Sequence, residues 1–182
     1  MKCYEGKDCT EISKKIIDYY IENELKTAKV AAKIESEYYM EKNRLEELIL
    51  YAKEMKYNHL GLAFCIGLKD EAKVLDQILS KYFKVTSVCC KICGIDKSQL
   101  GLKRLDCEKE VEAMCNPIAQ AEVFNDEKTD LNIIVGLCIG HDILFTNHSK
   151  APVTTFAVKD RVLANNPLGT IYSRYHRKRL LE

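Results

Sequence analysis

The chain has 182 residues, with 28 Lys and Arg against 27 Asp and Glu, a formal net charge of +1, and 47% hydrophobic residues. That length suits one domain with a full core. The charge balance excludes a nucleic-acid binder held by a uniformly basic surface, and equally an acidic disordered chain. Three Pro and eight Gly exclude a low-complexity sequence.

The first stretch is helical in pattern. Ile12, Ile16, Ile17, Tyr20, Ile21 and Leu25 recur at helical spacing after Thr10, a candidate N-cap. A second, longer helix is expected from Thr27 to Met55, with its apolar stripe on Ala28, Ala31, Ile34, Tyr38, Leu45, Leu48, Ile49 and Ala52. From residue 57 the pattern changes. The run from His59 to Ile66 reads as a buried strand, Ala72 to Tyr82 as a helix, and Val85 to Cys90 as a second strand. Strand, helix, strand is the unit that demands a parallel sheet. Residues 91–114 are polar and irregular, with Glu108–Met114 a candidate short helix. Pro117 at N1, capped by Asn116, opens a helix to about Asn125. Leu131 to Cys138 is a third strand, Gly140 to His148 a short helix, and Ala151 to Phe156 a fourth strand.

The expected fold is therefore α/β: a three-layer domain with a mostly parallel sheet of about four strands, preceded by two N-terminal helices. One domain is expected over 1–182, comprising a helical layer at 1–56, a βαβ core at 57–173 and a basic tail at 174–182. Leu181-Glu182 resembles a vector scar ahead of a purification tag. No apolar run reaches the roughly 20 residues of a membrane span, and no signal-peptide pattern opens the chain. A soluble, cytoplasmic protein without a membrane partner is expected, and the balanced charge argues against nucleic acid as a partner.

Nine cysteines stand out. They fall short of the ~8–10% of a disulfide scaffold, and their number is odd. Without a secretory signal they read as metal-binding or redox chemistry. In a parallel sheet all carboxyl ends share one edge, where open α/β sheets bind ligands. Cys65, Cys89 or Cys90, and Cys138 end three different predicted strands, and Cys115 precedes a helix start. One buried cysteine at a strand end is ordinarily a small hydrophobe; three strands ending alike suggest converging thiols. Thiolates suit tetrahedral zinc or an iron–sulfur cluster. Cys89 and Cys90 point to opposite faces of their strand, so only one can face the site. Cys90-Lys91-Ile92-Cys93 also fits a C-x-x-C redox pair, and Cys138-Ile139-Gly140-His141 places His141 beside the last cysteine. Cys107, His59 and His148 read as structural or incidental.

The segments Cys115-Asn116-Pro117-Ile118-Ala119-Gln120-Ala121, Asn132 to Asp142, Ala151-Pro152-Val153-Thr154-Thr155 and Lys159 to Pro167 together resemble the bacterial and archaeal proteins grouped as domain of unknown function 1847. Ala63-Phe64-Cys65-Ile66-Gly67-Leu68 and Val88-Cys89-Cys90-Lys91 fit it too. The resemblance implies a cysteine-based metal site with no assigned reaction, its cysteines falling on Cys65, Cys90, Cys115 and Cys138 with His141 adjacent. Longer relatives open with a denser cysteine cluster, of which Cys3 and Cys9 remain here.

The first functional expectation is thus a cysteine-rich metal protein with its ligands among Cys65, Cys90, Cys115, Cys138, Cys89 and His141. Cysteines in excess of a closed tetrahedral set favour an iron–sulfur cluster over zinc. The alternative is a metal-free, thiol-active enzyme or small-molecule binder in which one cysteine works with His141. Asn116, Gln120, Asp142, Thr154, Lys159 and Asp160 would then line the pocket, with a small molecule or a redox protein as partner.

Overall fold

The structure is a computed structural model and describes residues 3–182. The described chain divides into two compact units at Lys56 and Tyr57.

The first unit holds α1 (Ser13–Ile17), α2 (Glu22–Tyr38) and α3 (Arg44–Glu54). Two helices were expected here and three are found. The first expected helix breaks after Ile17, because no residue of α1 is buried and a single unsupported turn is too short to hold helical form. Thr10 is not its cap: its N–H and hydroxyl both donate to Asp8. The second break is written in the sequence. Met40 adopts a left-handed φ of 62°, and Asn43 with Glu46 forms a reciprocal capping box that starts α3 afresh. A Lys33–Glu54 ion pair at 2.8 Å and a Lys26 hydrogen bond to the Met55 carbonyl tie α2 to α3.

The second unit carries β1 (His59–Phe64), α4 (Lys69–Leu79), β2 (Lys84–Cys89), α5 (Pro117–Glu127), β3 (Leu131–Val135), α6 (His141–His148) and β4 (Val153–Ala157). It ends with α7 (Leu168–Tyr172) and α8 (Arg174–Leu181), the last spanning the basic tail. The four strands form one parallel sheet in the order β2-β1-β3-β4. Right-handed crossovers place α4 over one face. The chain then returns across β1 to β3, so α5 and α6 cover the other face. They pack there through an edge-on contact of Phe124 and Phe145, both fully buried, with ring centroids 5.9 Å apart. Asn116 caps α5 as expected, accepting from the Ala119 N–H at 3.0 Å.

This order creates a switch point. The chain leaves β1 toward one edge of the sheet and β3 toward the other, so a crevice opens between their carboxyl ends. Buried polar groups brace the sheet away from that crevice. Asn132 on β3 accepts from Thr129 and donates to Ser149, each at 2.7 Å, and His59 shares a hydrogen bond with Thr86. Among the described residues no helix is long and apolar enough to cross a membrane.

Residues 91–114 form no helix at Glu108–Met114. That stretch instead runs back antiparallel to residues 90–97, with a bridge between Asp96 and Ala113. Two carboxylates hold the loop between them. Asp96 accepts from the Ser98 and Glu112 N–H groups and pairs with Arg104. Glu112 pairs with Lys97 at 2.6 Å and accepts from the Leu105 N–H at 2.7 Å.

Candidate functional site

The strands stop just short of the cysteines. Cys65 follows β1 and opens a 3-10 turn, Ile66–Leu68; Cys90 follows β2; Gly136 ends β3, and Cys138 lies two residues beyond it. In register Phe64 pairs with Cys89, so Cys65 and Cys90 come side by side as β1 and β2 end. The returning loop delivers the third thiol. The Asn116 N–H donates to the Cys90 carbonyl at 2.7 Å, and this sets Cys115 against Cys90.

Three thiols from three separate segments therefore touch in a row. Cys90, 2% exposed, lies in the middle, with the Cys65 and Cys115 thiols as its neighbours. The Ile66 N–H donates to the Cys90 sulfur, at 3.4 Å. These neighbours divide the charge. The adjoining Cys90 thiol holds Cys65 down to about 5 against burial, helped by the Gly67 N–H and by Lys159. Cys115 is held down to about 5 by Cys90 in the same way, again against burial, with help from Lys91 and His141. Cys90 itself is pushed far up by its two neighbours and by burial, so it is the last of the three to lose its proton.

A cleft of about 1170 Å³ opens over this row. The strand ends supply Cys65 and Cys138, the stretch from Lys91 to Cys115 supplies those two residues, and the loop after β4 supplies Lys159 and Arg161; His141 also faces it. Each of the three cleft cysteines has its own cation. Lys159 accompanies Cys65, Lys91 accompanies Cys115, and Arg161 donates to the Cys138 sulfur at 2.9 Å. Lys159 lies over two glycines, and a Cβ on Gly67 or Gly136 would meet it at ordinary contact distance, 3.7 and 3.5 Å. Gly136 also has a φ of +67°, a conformation that favours glycine.

The other expected residues are placed as follows. Cys89 is half-buried against the core and takes no part in the thiol row. Cys93 is exposed, so the C-x-x-C spacing does not bring its two cysteines together in the row; Cys3, Cys9 and Cys107 are exposed as well. Asn116 serves as the α5 cap. Gln120 is fully buried and clamps two strands, donating to the Val88 carbonyl at 2.7 Å and that of Phe64 at 3.3 Å. Its own carbonyl oxygen has no hydrogen-bond partner. Asp142 accepts from the Gly140 and Ile143 N–H groups at the start of α6. Thr154 lies on β4, outside the cleft lining. Asp160 borders the cleft but its carboxylate is taken by the Val162 and Leu163 N–H groups. Lys91 and Arg161 were not expected from the sequence, although one adjoins Cys90 and the other stands two residues after Lys159.

Among the described residues, no three or more His, Cys, Asp and Glu side chains stand as a ready-made set of metal ligands. Cys138 is engaged by Arg161, while the other three thiols neighbour one another.

The family described as protein of unknown function (DUF1847) matches residues 3–156. The chain belongs to that family. It is also 60% identical over 182 residues to an uncharacterized protein of Methanocaldococcus jannaschii, MJ0455, covering 99% of this chain and 94% of that relative. No solved structure matches. Neither description names a reaction or a metal, so the chemistry rests on the residues themselves.

Proposed function

We propose that the protein is a thiolate metal protein, with Cys65, Cys90 and Cys115 as ligands and Cys138 as the fourth. His141 stands beside the set, and Cys89 is the reserve ligand. One observation carries this reading: three thiols from three segments meet at the carboxyl edge of the sheet, and a fourth borders the same cleft. The donor chemistry fits, since clustered thiolates are what soft metals require. Lys159 and Lys91 lower the cost of gathering negative charge, and ligation by Cys138 replaces its hydrogen bond from Arg161. Four thiolates suit an iron–sulfur cluster as well as tetrahedral zinc, and the cluster is favoured on the count of nine cysteines in the chain. Such a centre supplies electron transfer as a cluster, or Lewis-acid chemistry as zinc with an open position.

The test is metal and acid-labile sulfide analysis, with an absorption spectrum, on anaerobically purified protein. Iron with sulfide supports the cluster and stoichiometric zinc supports the closed site; neither metal refutes the reading. It is refuted too by metal that persists when Cys65, Cys115 and Cys138 are all replaced. One observation favours a second reading, a metal-free thiol enzyme: Cys65 and Cys115 are held low by protein groups alone. Rapid alkylation of one cysteine at neutral pH in metal-free protein, at a rate unchanged by added metal, would favour it.

A further inference from the structure

The cleft is far larger than a metal ion needs, and its lining is mixed. Lys159 and Arg161 come from the loop after β4 and Lys91 from the loop between Cys90 and Cys115, which also brings apolar Leu102, Leu105 and Met114, of which Leu105 is 91% exposed.

The cleft's own carboxylates do not pair with those cations. Asp106 accepts from the Glu108 N–H and faces Lys109, Glu112 is paired with Lys97, and Asp160 is closed into its turn. Among the described residues none of Lys91, Lys159 and Arg161 has a carboxylate within ion-pair distance. Their contacts are with sulfur and one backbone carbonyl, that of Ala113 at 2.6 Å from Lys91. Once a metal takes the thiolates, four thiolates about a dication carry two negative charges and Asp160 a third, so these three cations are balanced in sum although none is paired with a carboxylate. That charge count rests on the metal reading above; the side-chain geometry does not.

We infer that the cleft binds an organic anion, a phosphate or carboxylate head group on an apolar body, with Lys159 and Arg161 holding the head and the Leu102–Leu105–Met114 wall receiving the body. The volume exceeds the roughly 300–1,000 Å³ of typical small-molecule sites, which leaves room for a whole organic molecule rather than a bare oxyanion. A cleft that pairs an apolar wall with a few convergent charges orients its ligand, and here the anionic end is directed toward the thiols.

The experiment is a ligand-detected NMR titration of the full chain with phenyl phosphate, phenylacetate and uncharged benzyl alcohol, with and without a chelator. Saturable binding of at least one anion is expected, with benzyl alcohol at least about tenfold weaker. Arg161→Met and Lys159→Met should each weaken the anion about tenfold, in line with loss of a charge-assisted contact. Lys150→Met, on an exposed lysine outside the cleft, should leave binding unchanged. Phosphate and carboxylate are separated by which of the two anions binds more tightly. Equal binding of benzyl alcohol, no binding of either anion, or binding indifferent to Arg161 and Lys159 overturns the inference. Binding that depends on Lys159 and Arg161, in protein that holds no metal as purified anaerobically, leaves this inference standing and sinks the metal reading alone.

Discussion

Replacing Cys90 by Ala removes the thiol neighbour that Cys65 and Cys115 share, the first cause of the low value of each. Cys115, half-buried on the cleft, is the better reporter. At pH 7 a thiol titrating at about 5 is roughly 99% thiolate, whereas one at the ordinary 9.0 is about 1%. The alkylation rate does not follow that hundredfold difference, because nucleophilicity falls with basicity. With a Brønsted slope of about 0.45, a drop of roughly four units costs about 60-fold. The two effects nearly cancel at pH 7, so a single rate there is a poor test and the pH profile is the informative one. The assay is a brief iodoacetamide pulse on reduced, metal-free protein from pH 5.5 to 8.5 (about three units), with each cysteine followed by peptide mass spectrometry. In the wild type the Cys115 rate should be nearly flat over this range. In Cys90→Ala it should climb by up to about tenfold per unit. The substitution should cost about 1–2 kcal/mol in stability, so the variant remains folded for the measurement. A wild-type profile that climbs as steeply as the variant's refutes the shared-neighbour account.

Gly61→Ala should destabilise by roughly 2–5 kcal/mol, combining overpacking with disruption of a buried hydrogen bond. Its Cβ would lie 2.3 Å from Asn132 Oδ1 and 2.9 Å from the Phe124 ring, both fully buried, and urea unfolding with a loss under about 0.5 kcal/mol would contradict this. Glu112, held down to about 2 first by Lys97 and then by the Leu105 and Asp106 N–H groups, titrates below its ordinary 4.5. Its contribution to holding the loop is complete above pH 4.5 and lost as pH falls through about 2. Hydrogen exchange at Leu105 should accelerate, relative to an unstructured peptide, over that window in the wild type, and Glu112→Gln should abolish the dependence. If thiolates hold a metal, protons compete for them, so metal content and melting temperature should fall together as the pH drops from 8 toward about 5. Metal retained through that range with an unchanged melting temperature would count against thiolate ligation.

Much of the architecture was legible because it depends on local patterning. Short apolar runs at Leu60–Ala63 and Leu131–Val135, separated by helical periodicity, imply a parallel sheet, and Asn116-Pro117 marks a helix start through local hydrogen bonding. The capping box at Asn43 and Glu46 was equally local and could have divided the long helix read from Thr27 to Met55. The break after Ile17 carried no such mark: the apolar spacing continues, and only the absence of burial stops the helix.

The sequence by itself determined that cysteines end several strands, and hence that they share one edge of the sheet. It could not decide which of them touch. The Phe64–Cys89 register brings Cys65 beside Cys90, and the Asn116 hydrogen bond to Cys90 brings in Cys115 across an irregular loop; both are long-range pairings with no local periodicity to reveal them. The roles of the charged groups were decided the same way. Asp160 and Lys159 are neighbours in the chain, yet one closes its own turn and the other crosses two glycines to reach Cys65. Local sequence sets what each residue can bond to, but which bond it makes depends on the neighbours that folding supplies.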